Sequence, residues 1–263
     1  MKGPVQDGSR RRRSRRPRAV SGALRAWAAI ALAAAMASAA WGQEAIDSGP
    51  GRDATEATAA EEPETWHVST YVSGAVGFRV IDSWSKGSWM RARTVVSAHP
   101  ITTIVRGERY VVFDGLEGKG ISIARSPRAI AEDAARGRPF GQDLRDLIER
   151  GGEEVGPVRL RGEDATMWRL TEESIRRTVW VQRRKPGLPL RVETFDRVRG
   201  QTITQDYASW SSGLGIPDAF FEPPAQVSLR RLDYEAYLEA VQGGGLEWAP
   251  VLYPDLLHGG RVR

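Results

Sequence analysis

The side chains that could carry out chemistry in this sequence are few and widely spaced. The three histidines, His67, His99 and His258, form no His-x-x-x-His pair and have no carboxylate at ligand spacing. Cysteine is absent, which excludes thiolate metal sites and cysteine nucleophiles, and there is no Gly-x-Ser-x-Gly motif. The sequence therefore predicts no catalytic residue, no metal site and no cofactor, and we expect that the protein is not an enzyme.

The segment from Asp114 to Gly120 is the nearest approach to a phosphate-binding or acid–base motif. Gly115, Gly118 and Gly120 make it glycine-rich, but it lies between two short predicted strands. A loop that cradles phosphate normally connects a strand to a helix, so a hairpin turn is the favoured interpretation. Asp114 and Glu117 have the chemistry of an acid–base pair, although such residues are also ordinary in turns.

Tryptophan is the residue type that stands out. Seven lie outside the first 42 residues: Trp66, Trp84, Trp89, Trp168, Trp180, Trp210 and Trp248. Each can bury a large apolar area while its N–H donates to a partner. One interpretation is an ordinary sheet core, and the other is a concave sheet that holds an apolar ligand.

Nine residues are the predicted lining of such a cavity. Arg91 and Arg93 share a strand face with Trp89, where they would lie at the cavity rim or tie a covering helix; the alternative is a solvent-facing strand edge. The predicted ligand-binding set is Trp89, Arg91, Arg93, Val111, Phe113, Leu144, Ile148, Trp168 and Trp180.

The elements that must position these residues are mostly strands. Alternation and β-branched runs predict strands at 66–72, 78–81, 89–98, 121–124, 158–160 and 166–170, and a hairpin from 101–105 to 109–113. Residues 177–224 contain three further strand-length runs separated by Pro/Gly-rich or charged turns, which predict an antiparallel meander.

Three helices complete the prediction. Ser126 is a suitable N-cap for a helix from Pro127 to Arg136, because proline is favoured at the first helical position. A second helix is predicted from Asp143 to Arg150, with Leu144, Leu147 and Ile148 on one face. A third is predicted between Leu229 and Val241 from the helical spacing of its apolar residues.

The first 42 residues have the layout of a secretory signal peptide: arginines, then an alanine-rich apolar stretch, then small-residue cleavage sites near Ala39 and Gly42. An uncleaved membrane anchor is the alternative. This segment holds nine of the 38 basic and one of the 33 acidic residues, so 29 basic and 32 acidic residues remain, a net charge of −3. The high isoelectric point thus belongs to the targeting segment, and nucleic-acid binding is not indicated.

Composition divides the rest of the chain. Residues 43–64 are small and polar, with almost no large apolar side chains, which predicts a disordered linker. We expect a β-barrel domain at 65–228 and a C-terminal helix and extension at 229–263. An exported chain without cysteine has no disulfide and no acylated cysteine, so it must be stabilised by its core and is not tethered by lipid.

The meander resembles a known family. In order, it contains Val179-Trp180-Val181, Leu188-Pro189-Leu190-Arg191-Val192-Glu193, a strand that ends at Trp210, and Ile216-Pro217-Asp218 followed by Phe221 and Pro223-Pro224. This ordered set is similar to the second half of bacterial outer-membrane lipoprotein carriers of the LolA type. The likeness covers roughly 168–224, and 89–124 more loosely. The family's opening amphipathic helix has no counterpart, because the equivalent region is the polar linker.

The resemblance implies a fold and a role. The expected fold is mainly β with some α, a curved half-open antiparallel β-barrel covered by short helices. The expected role is a soluble periplasmic carrier that holds a lipid or lipoprotein acyl chain in an apolar cavity and meets membranes only peripherally. The alternative is a sensory or regulatory module that binds another envelope protein, with the extension beyond Leu229 as its contact surface.

Overall fold

The structure, a computed structural model, describes residues 64–75, 77–185, 187–244, 246 and 252–260. The predicted signal peptide, both cleavage sites and residues 43–63 of the predicted linker lie outside the described residues. Within the described ranges, no helix is long and apolar enough to cross a membrane.

Twelve strands in the described part of the chain form one sheet in the order β12-β6-β5-β4-β3-β2-β1-β11-β10-β9-β8-β7. All neighbours are antiparallel except β12 and β6. The strands are β1 (Thr65–Gly74), β2 (Arg79–Lys86), β3 (Trp89–Val96), β4 (His99–Arg106), β5 (Arg109–Asp114), β6 (Lys119–Ala124), β7 (Glu153–Leu160), β8 (Glu163–Thr171), β9 (Ile175–Gln182), β10 (Pro189–Asp196), β11 (Gln201–Ser212) and β12 (Ser228–Leu232).

The predicted fold class is confirmed: the sheet is curved and open, and short helices cover it. The helices are α1 (Pro127–Arg136), α2 (Asp143–Glu149), α3 (Tyr234–Gln242) and α4 (Asp255–His258), with a 3₁₀ helix at Asp218–Phe221. The predicted cap of α1 is also confirmed, because the Ser126 side chain accepts a hydrogen bond from the Ala129 amide at 3.1 Å.

The prediction that a helix begins near Leu229 is wrong. Residues Ser228–Leu232 form β12, parallel to β6, and the helix starts only at Tyr234. Leu229 and Leu232 have helical spacing in the sequence, but residues three apart on a strand point to opposite faces. Leu229 packs on one face of the sheet against Ile104, Val111 and Phe113, and Leu232 is buried in the main core on the other.

The inner face of the sheet, defined here as the face that α1–α4 cover, is filled by the chain's own side chains over β1–β6. Met90, Val105, Tyr110 and Ile123 from the strands are completely buried there. They pack with helix and loop residues, among them Phe140, Tyr237, Leu252, Leu256 and Leu257. This half of the sheet therefore has a packed core where the sequence suggested a ligand cavity.

The segment 252–260 closes that core through its backbone as well as its leucines. The Tyr110 hydroxyl donates to the Leu252 carbonyl, the Ser126 amide donates to the Leu257 carbonyl at 3.0 Å, and the hydroxyls of Ser83 and Tyr253 lie 2.7 Å apart. Leu257 is fully buried. Segment 252–260 thus contributes the helix α4 and the hydrogen bonds described above.

Arg125 connects this segment to α1 and the sheet. Its side chain is completely buried, and its guanidinium makes two 2.7 Å hydrogen bonds to the carboxylate of Asp133. The remaining donors reach the carbonyls of Leu256 at 2.6 Å, Gly107 at 2.6 Å and Ala129 at 3.1 Å. All five N–H groups of a guanidinium are thus satisfied, which is what burial of this charge requires.

The outer face, opposite the helices, is covered over β3–β6 by the segment from the 3₁₀ helix to β12. Ile104, Val111 and Phe113 are buried there under Val227 and Leu229. Over β8–β10 the inner face carries a second, smaller core in which Leu147 of α2 packs against Leu170, Val179, Val181 and Val192. Each end of the sheet therefore has its own small apolar cluster, one on the outer face over β3–β6 and one on the inner face over β8–β10.

Candidate binding groove

The predicted ligand-binding residues are divided between the two faces of the sheet. Met90, Ala92 and Thr94 of β3 are buried in the inner core, so Trp89, Arg91 and Arg93 point to the outer face. Val179 and Val181 are likewise buried on the inner face, which places Trp180 on the outer face. The structure therefore does not bring these residues together with the helices on one face of the sheet.

Trp89 and Arg91 hold the 3₁₀ helix on the outer face. The Arg91 guanidinium donates to the Phe220 carbonyl at 2.7 Å and lies 4.6 Å from the centre of that ring. The Trp89 ring packs edge-on to Phe221. Burial, together with the charge of Arg93, lowers the pKa of Arg91. Arg91 does tie a helix to the sheet, as one interpretation expected, but the helix is not one of those on the inner face.

The other predicted residues are separated as well. Val111 and Phe113 lie under Val227 and Leu229 in the outer cluster. Trp168 and Leu144 both pack against the second core on the inner face. Ile148 of α2 is 45% exposed. A role in ligand binding for these nine residues stays a prediction, but they do not line one cavity.

A groove of about 380 Å³ lies where the β7–β8 turn, the β9–β10 connection and the last third of β11 meet. Its lining residues combine apolar and charged side chains: Leu160, Arg161, Glu163, Gln182, Lys185, Leu188, Leu190, Tyr207, Ala208, Ser209 and Trp210. Leu188 and Leu190 are buried, whereas Arg161 and Lys185 are exposed. The groove therefore combines leucine and aromatic side chains with charged ones, and its exposed surface is more polar than apolar.

A β-bulge aligns the two aromatic residues of the groove. Between β1 and β11 the register shifts at Ser209, whose φ is +59°. One extra residue in a strand reverses the alternation of faces beyond it. Tyr207 and Trp210, three residues apart, consequently stack with ring centres 5.6 Å apart. The Trp210 N–H donates to the Pro189 carbonyl at 2.9 Å, which joins β11 to the start of β10.

Arg138 supports this aromatic wall from behind. Its guanidinium lies 4.9 Å from the ring of Trp66 and 4.8 Å from that of Trp210, and it donates to the carbonyls of Phe140 at 2.8 Å and Gly141 at 3.1 Å. Gly141 has a φ of +68°, and a Cβ there would come within 2.6 Å of the Trp210 ring. The wall is thus fixed on the side that faces the core.

Tyr207 is anchored to α2. Its hydroxyl donates to Asp143 at 2.8 Å, and the other oxygen of that carboxylate accepts from Arg177. Burial, and then the charge of Asp143, raises the pKa of Tyr207 well above its ordinary value. The phenol therefore stays neutral at physiological pH and acts as a donor that fixes the ring.

The rim of the groove carries unequal charges. The carboxylate of Asp206 accepts from Arg191 and pairs with Arg161, each at 2.6 Å. Lys185 has no ion-pair partner in the described residues, and Glu163 is exposed nearby. Asp206 and Arg191 lie outside the lining, in which the two cations Arg161 and Lys185 outnumber the single carboxylate of Glu163.

In the described residues, the groove lacks the residue pair that the commonest serine nucleophiles use. Its described lining offers one serine and one glutamate but no histidine that would activate a hydroxyl. None of the nine predicted residues lies in it. Leu188, Leu190 and Trp210 were recognised only as parts of the meander, and the bulge that brings the rings together has no signal in the sequence.

A separate cluster formed by His99, Asp114 and Glu117 could hold a metal ion, since their ligand atoms lie within 4.8 Å of one another. The sequence spacing did not show that His99 would meet Asp114. Both Asp114 oxygens are already in use, one accepting from the Leu116 amide at 2.6 Å and the other hydrogen-bonded to His99 Nδ1. A turn stabilised by Asp114 is sufficient to explain why these three side chains lie close together.

Asp114 is expected to make stability sensitive to acid. Burial raises the pKa of this carboxyl, but hydrogen bonds from the Leu116 amide, His99 and the Glu117 amide outweigh it and hold the pKa below its ordinary value. The stabilisation is therefore complete above the unfolded-state pKa of about 3.9 and is lost as the pH falls through the lower folded-state pKa. Asp114→Asn should cost about 1.5–3 kcal/mol of unfolding free energy at pH 7.

Urea unfolding between pH 2 and pH 7 measures this effect. The cost of Asp114→Asn should shrink as the pH falls, because the wild type loses the charged form. Glu117→Gln, an exposed neighbour, is the control and should leave the acid limb unchanged. Parallel pH profiles for the wild type and Asp114→Asn would contradict the assignment.

Comparison with known proteins gives only distant structural likenesses. No protein-family model matches the sequence, and no curated protein is significantly similar to it. An uncharacterised conserved protein from Thermus thermophilus aligns at a TM-score of 0.47 and 11% identity, over 64% of this chain and 90% of that one.

A protein complex and a lipoprotein are also among the similar structures. The Pseudomonas aeruginosa MucA/MucB complex aligns at a TM-score of 0.42 and 14% identity, over 64% of this chain and 59% of that one. The Mycobacterium tuberculosis lipoprotein LppX aligns at a TM-score of 0.33 and 14% identity, over 56% of this chain and 85% of that one. With these scores, membership of the LolA type stays a prediction, and the case for a function rests on the geometry of this chain alone.

Proposed function

We propose that the protein is a non-enzymatic, exported binding protein that takes the acyl chain of an anionic amphiphile into the groove between Leu160 and Trp210. The observation that carries the proposal is that one groove is lined by leucines, by the stacked rings of Tyr207 and Trp210, and by the cations Arg161 and Lys185. Lipid and lipoprotein acyl chains are the ligand class that this combination suits.

The size of the groove limits what it can hold. At about 380 Å³ it lies at the lower end of the range for small-molecule sites, so it suits part of one chain rather than a whole diacyl lipid. Each buried methylene contributes about 0.8 kcal/mol before the cost of immobilising the chain. The inner face over β1–β6 is already filled, which leaves this groove as the favoured place for the ligand.

The rim residues are proposed to bind the head group. Lys185 and Arg161 line the groove together with the apolar residues Leu160 and Leu188. They would meet the carboxylate or phosphate of a ligand whose chain is buried in the groove and whose head group stays in water. A fatty acid should therefore bind more tightly than its methyl ester, and Lys185→Gln should reduce that difference while it leaves ester binding unchanged.

Titration of the purified protein with a fluorescent fatty acid tests the proposal, alongside mass spectrometry of lipids extracted from the protein. We expect saturable binding with a Kd of about 1–10 µM, corresponding to roughly 7–8 kcal/mol. Leu160→Gln should weaken binding roughly tenfold because it places an amide among the leucines that line the groove.

The matched control is Val155→Gln. Val155 lies on the same strand, is 49% exposed and does not line the groove. It should bind the fatty acid like the wild type. The absence of both co-purifying lipid and saturable binding would refute the proposal, as would equal losses in the two variants.

A protein partner is the second candidate, and the free edge at β7 is the observation that favours it. In the described residues β7 pairs only with β8, and an unpaired edge can accept a strand from another chain. A bulge between Glu154 and Gly156 limits the length available. The extension beyond Leu229 is less suited to this role than expected, because Leu232, Tyr237, Leu256 and Leu257 are buried in the core.

Two variants distinguish the lipid-binding function from the partner-binding function. Val155→Lys places a charge on the free edge and should abolish capture of an envelope protein without changing fatty-acid binding. Leu160→Gln should do the opposite. Capture that survives Val155→Lys would remove β7 as the partner surface.

A further inference from the structure

An arginine-lined pocket opens on the outer face at the far end of β8–β10. It has a volume of about 260 Å³ and is lined by Arg169, Thr171, Arg176, Phe195 and Arg197. Strand register brings these residues together, since Arg176 of β9 is the partner of Thr171 on one side and of Phe195 on the other. Residues from three adjacent strands thus converge on one point.

The guanidinium groups of this pocket lack acidic partners. In the described residues, Arg169, Arg176 and Arg197 form no ion pair. Arg176 lies 5.1 Å from the centre of the Phe195 ring, and Arg197 donates to the Glu172 carbonyl at 3.0 Å. The mature chain is net negative, so three unpaired cations in one pocket are a local feature and not a general one.

Two of the nearby carboxylates are committed elsewhere. Glu172 accepts from Arg150, and Asp196 accepts from the amides of Val198 and Arg199 at 2.9 Å each. Glu153 is the register partner of Arg169 without forming an ion pair with it, and Glu173 is exposed in the β8–β9 turn. The positive charge of the pocket is therefore not neutralised internally.

The turn beside the pocket exposes an apolar side chain. Val198, at the tip of the β10–β11 turn, is 80% exposed and lies between Arg197 and Arg199. An apolar residue flanked by cations is an arrangement suited to the interface of a membrane, where the apolar group enters the head-group region and the cations meet phosphates.

From these contacts we infer that this end of the sheet binds the phosphate groups of an anionic phospholipid surface. Arg169, Arg176 and Arg197, here called the arginine cluster, contact the phosphates, and Val198 enters the head-group layer beside Arg199, which pairs with Asp196 at 3.8 Å. Arginine suits this task because its planar fork donates two parallel hydrogen bonds to one phosphate.

The site is distinct from the groove. Arg176 and Gln182 are six residues apart on β9, which places the arginine cluster about 20 Å from the groove end of that strand. A phosphate bound by the cluster is thus not the head group of a chain held in the groove. The inference concerns where the protein meets a lipid surface, whichever ligand the groove takes.

Vesicle sedimentation tests the inference. The full chain after removal of residues 1–42 is mixed with vesicles of phosphatidylglycerol and phosphatidylcholine, and with phosphatidylcholine alone. We expect binding to the anionic vesicles only, and loss of binding at about 1 M salt, where the Debye length is about 3 Å. The Arg176→Gln/Arg197→Gln double variant should lower the partition coefficient roughly 25-fold, at about fivefold for each cation.

The control is the Arg230→Gln/Arg231→Gln double variant. It removes the same charge from two exposed residues of β12, at the opposite edge of the sheet. Its partition coefficient should stay within about twofold of the wild type, and Val198→Ser should show a smaller loss than the cluster variant. Circular dichroism verifies that each variant is folded.

Several outcomes would overturn the inference. Equal losses in the two double variants would show a general charge effect, and equal binding to both vesicle types would exclude phosphate recognition by charge. Binding of inorganic phosphate without any vesicle binding would assign the pocket to a soluble anion. Leu160→Gln should leave vesicle binding unchanged, so a failure of this inference is distinguishable from a failure of the groove.

Discussion

We expect the Arg125→Met variant to lose about 3–5 kcal/mol of unfolding free energy. The substitution keeps the length of the side chain but leaves Asp133 and the carbonyls of Gly107, Ala129 and Leu256 without their donor. Breaking a buried ion pair from one side is costly because the remaining charge stays desolvated. The loss should also loosen segment 252–260, since Arg125 is one of its anchors.

Urea unfolding at pH 7 measures this loss, and Arg128→Met is the matched control. Arg128 lies three residues further on, in the first turn of α1, but its side chain is 61% exposed and forms only an i,i+4 pair with Glu132. That substitution should cost less than about 0.5 kcal/mol. Arg125→Lys should fall between the two, because lysine retains the charge but not the fork. Similar costs for Arg125→Met and Arg128→Met would contradict the assigned role.

The second large effect is expected for Gly120→Ala in β6. A Cβ at this position would meet the Val112 carbonyl oxygen well inside van der Waals contact, and it would lie 2.5 Å from Phe113 Cβ and 2.6 Å from Phe113 Cα. These atoms belong to or adjoin the backbone of β5 and cannot rotate away. The strands must separate, which should cost about 3 kcal/mol or more.

Gly215→Ala is the control for this prediction. Gly215 has no positive φ and no atom within 4 Å of its added Cβ, so alanine should be neutral or slightly stabilising there. Thermal unfolding followed by circular dichroism compares the two variants. If Gly120→Ala unfolds at the wild-type temperature, β5 and β6 are further apart than these distances require.

The local patterns in the sequence predicted most of the fold. The hairpin of β4 and β5, the helix that begins after Ser126 and the meander of β9–β11 all depend on near neighbours, such as the Pro127 start of α1. The predicted half-open sheet covered by helices is confirmed. These features follow from residues whose effects act within a few positions of the chain.

The candidate site could not be predicted in the same way. Both faces of β4 and β5 are apolar, with Val105 and Tyr110 inward and Ile104 and Phe113 outward, so alternation alone could not say which face the helices cover. The groove depends on a bulge at Ser209 and on the meeting of the β7–β8 turn, the β9–β10 connection and β11. Neither leaves a periodic signal, and the parallel pairing of β12 was missed for the same reason.

The pairing of β1 with β11 has a consequence for the time order of folding. The first six strands are consecutive, but one edge of β1 stays unpaired until β11 is available, and their inner face is uncovered until Leu256 and Leu257 arrive. Contacts between distant parts of a chain slow folding and leave apolar strands exposed meanwhile. The chain should therefore fold in one late step. If the chain is exported, as proposed, this favours a chain that stays unfolded until its crossing is complete.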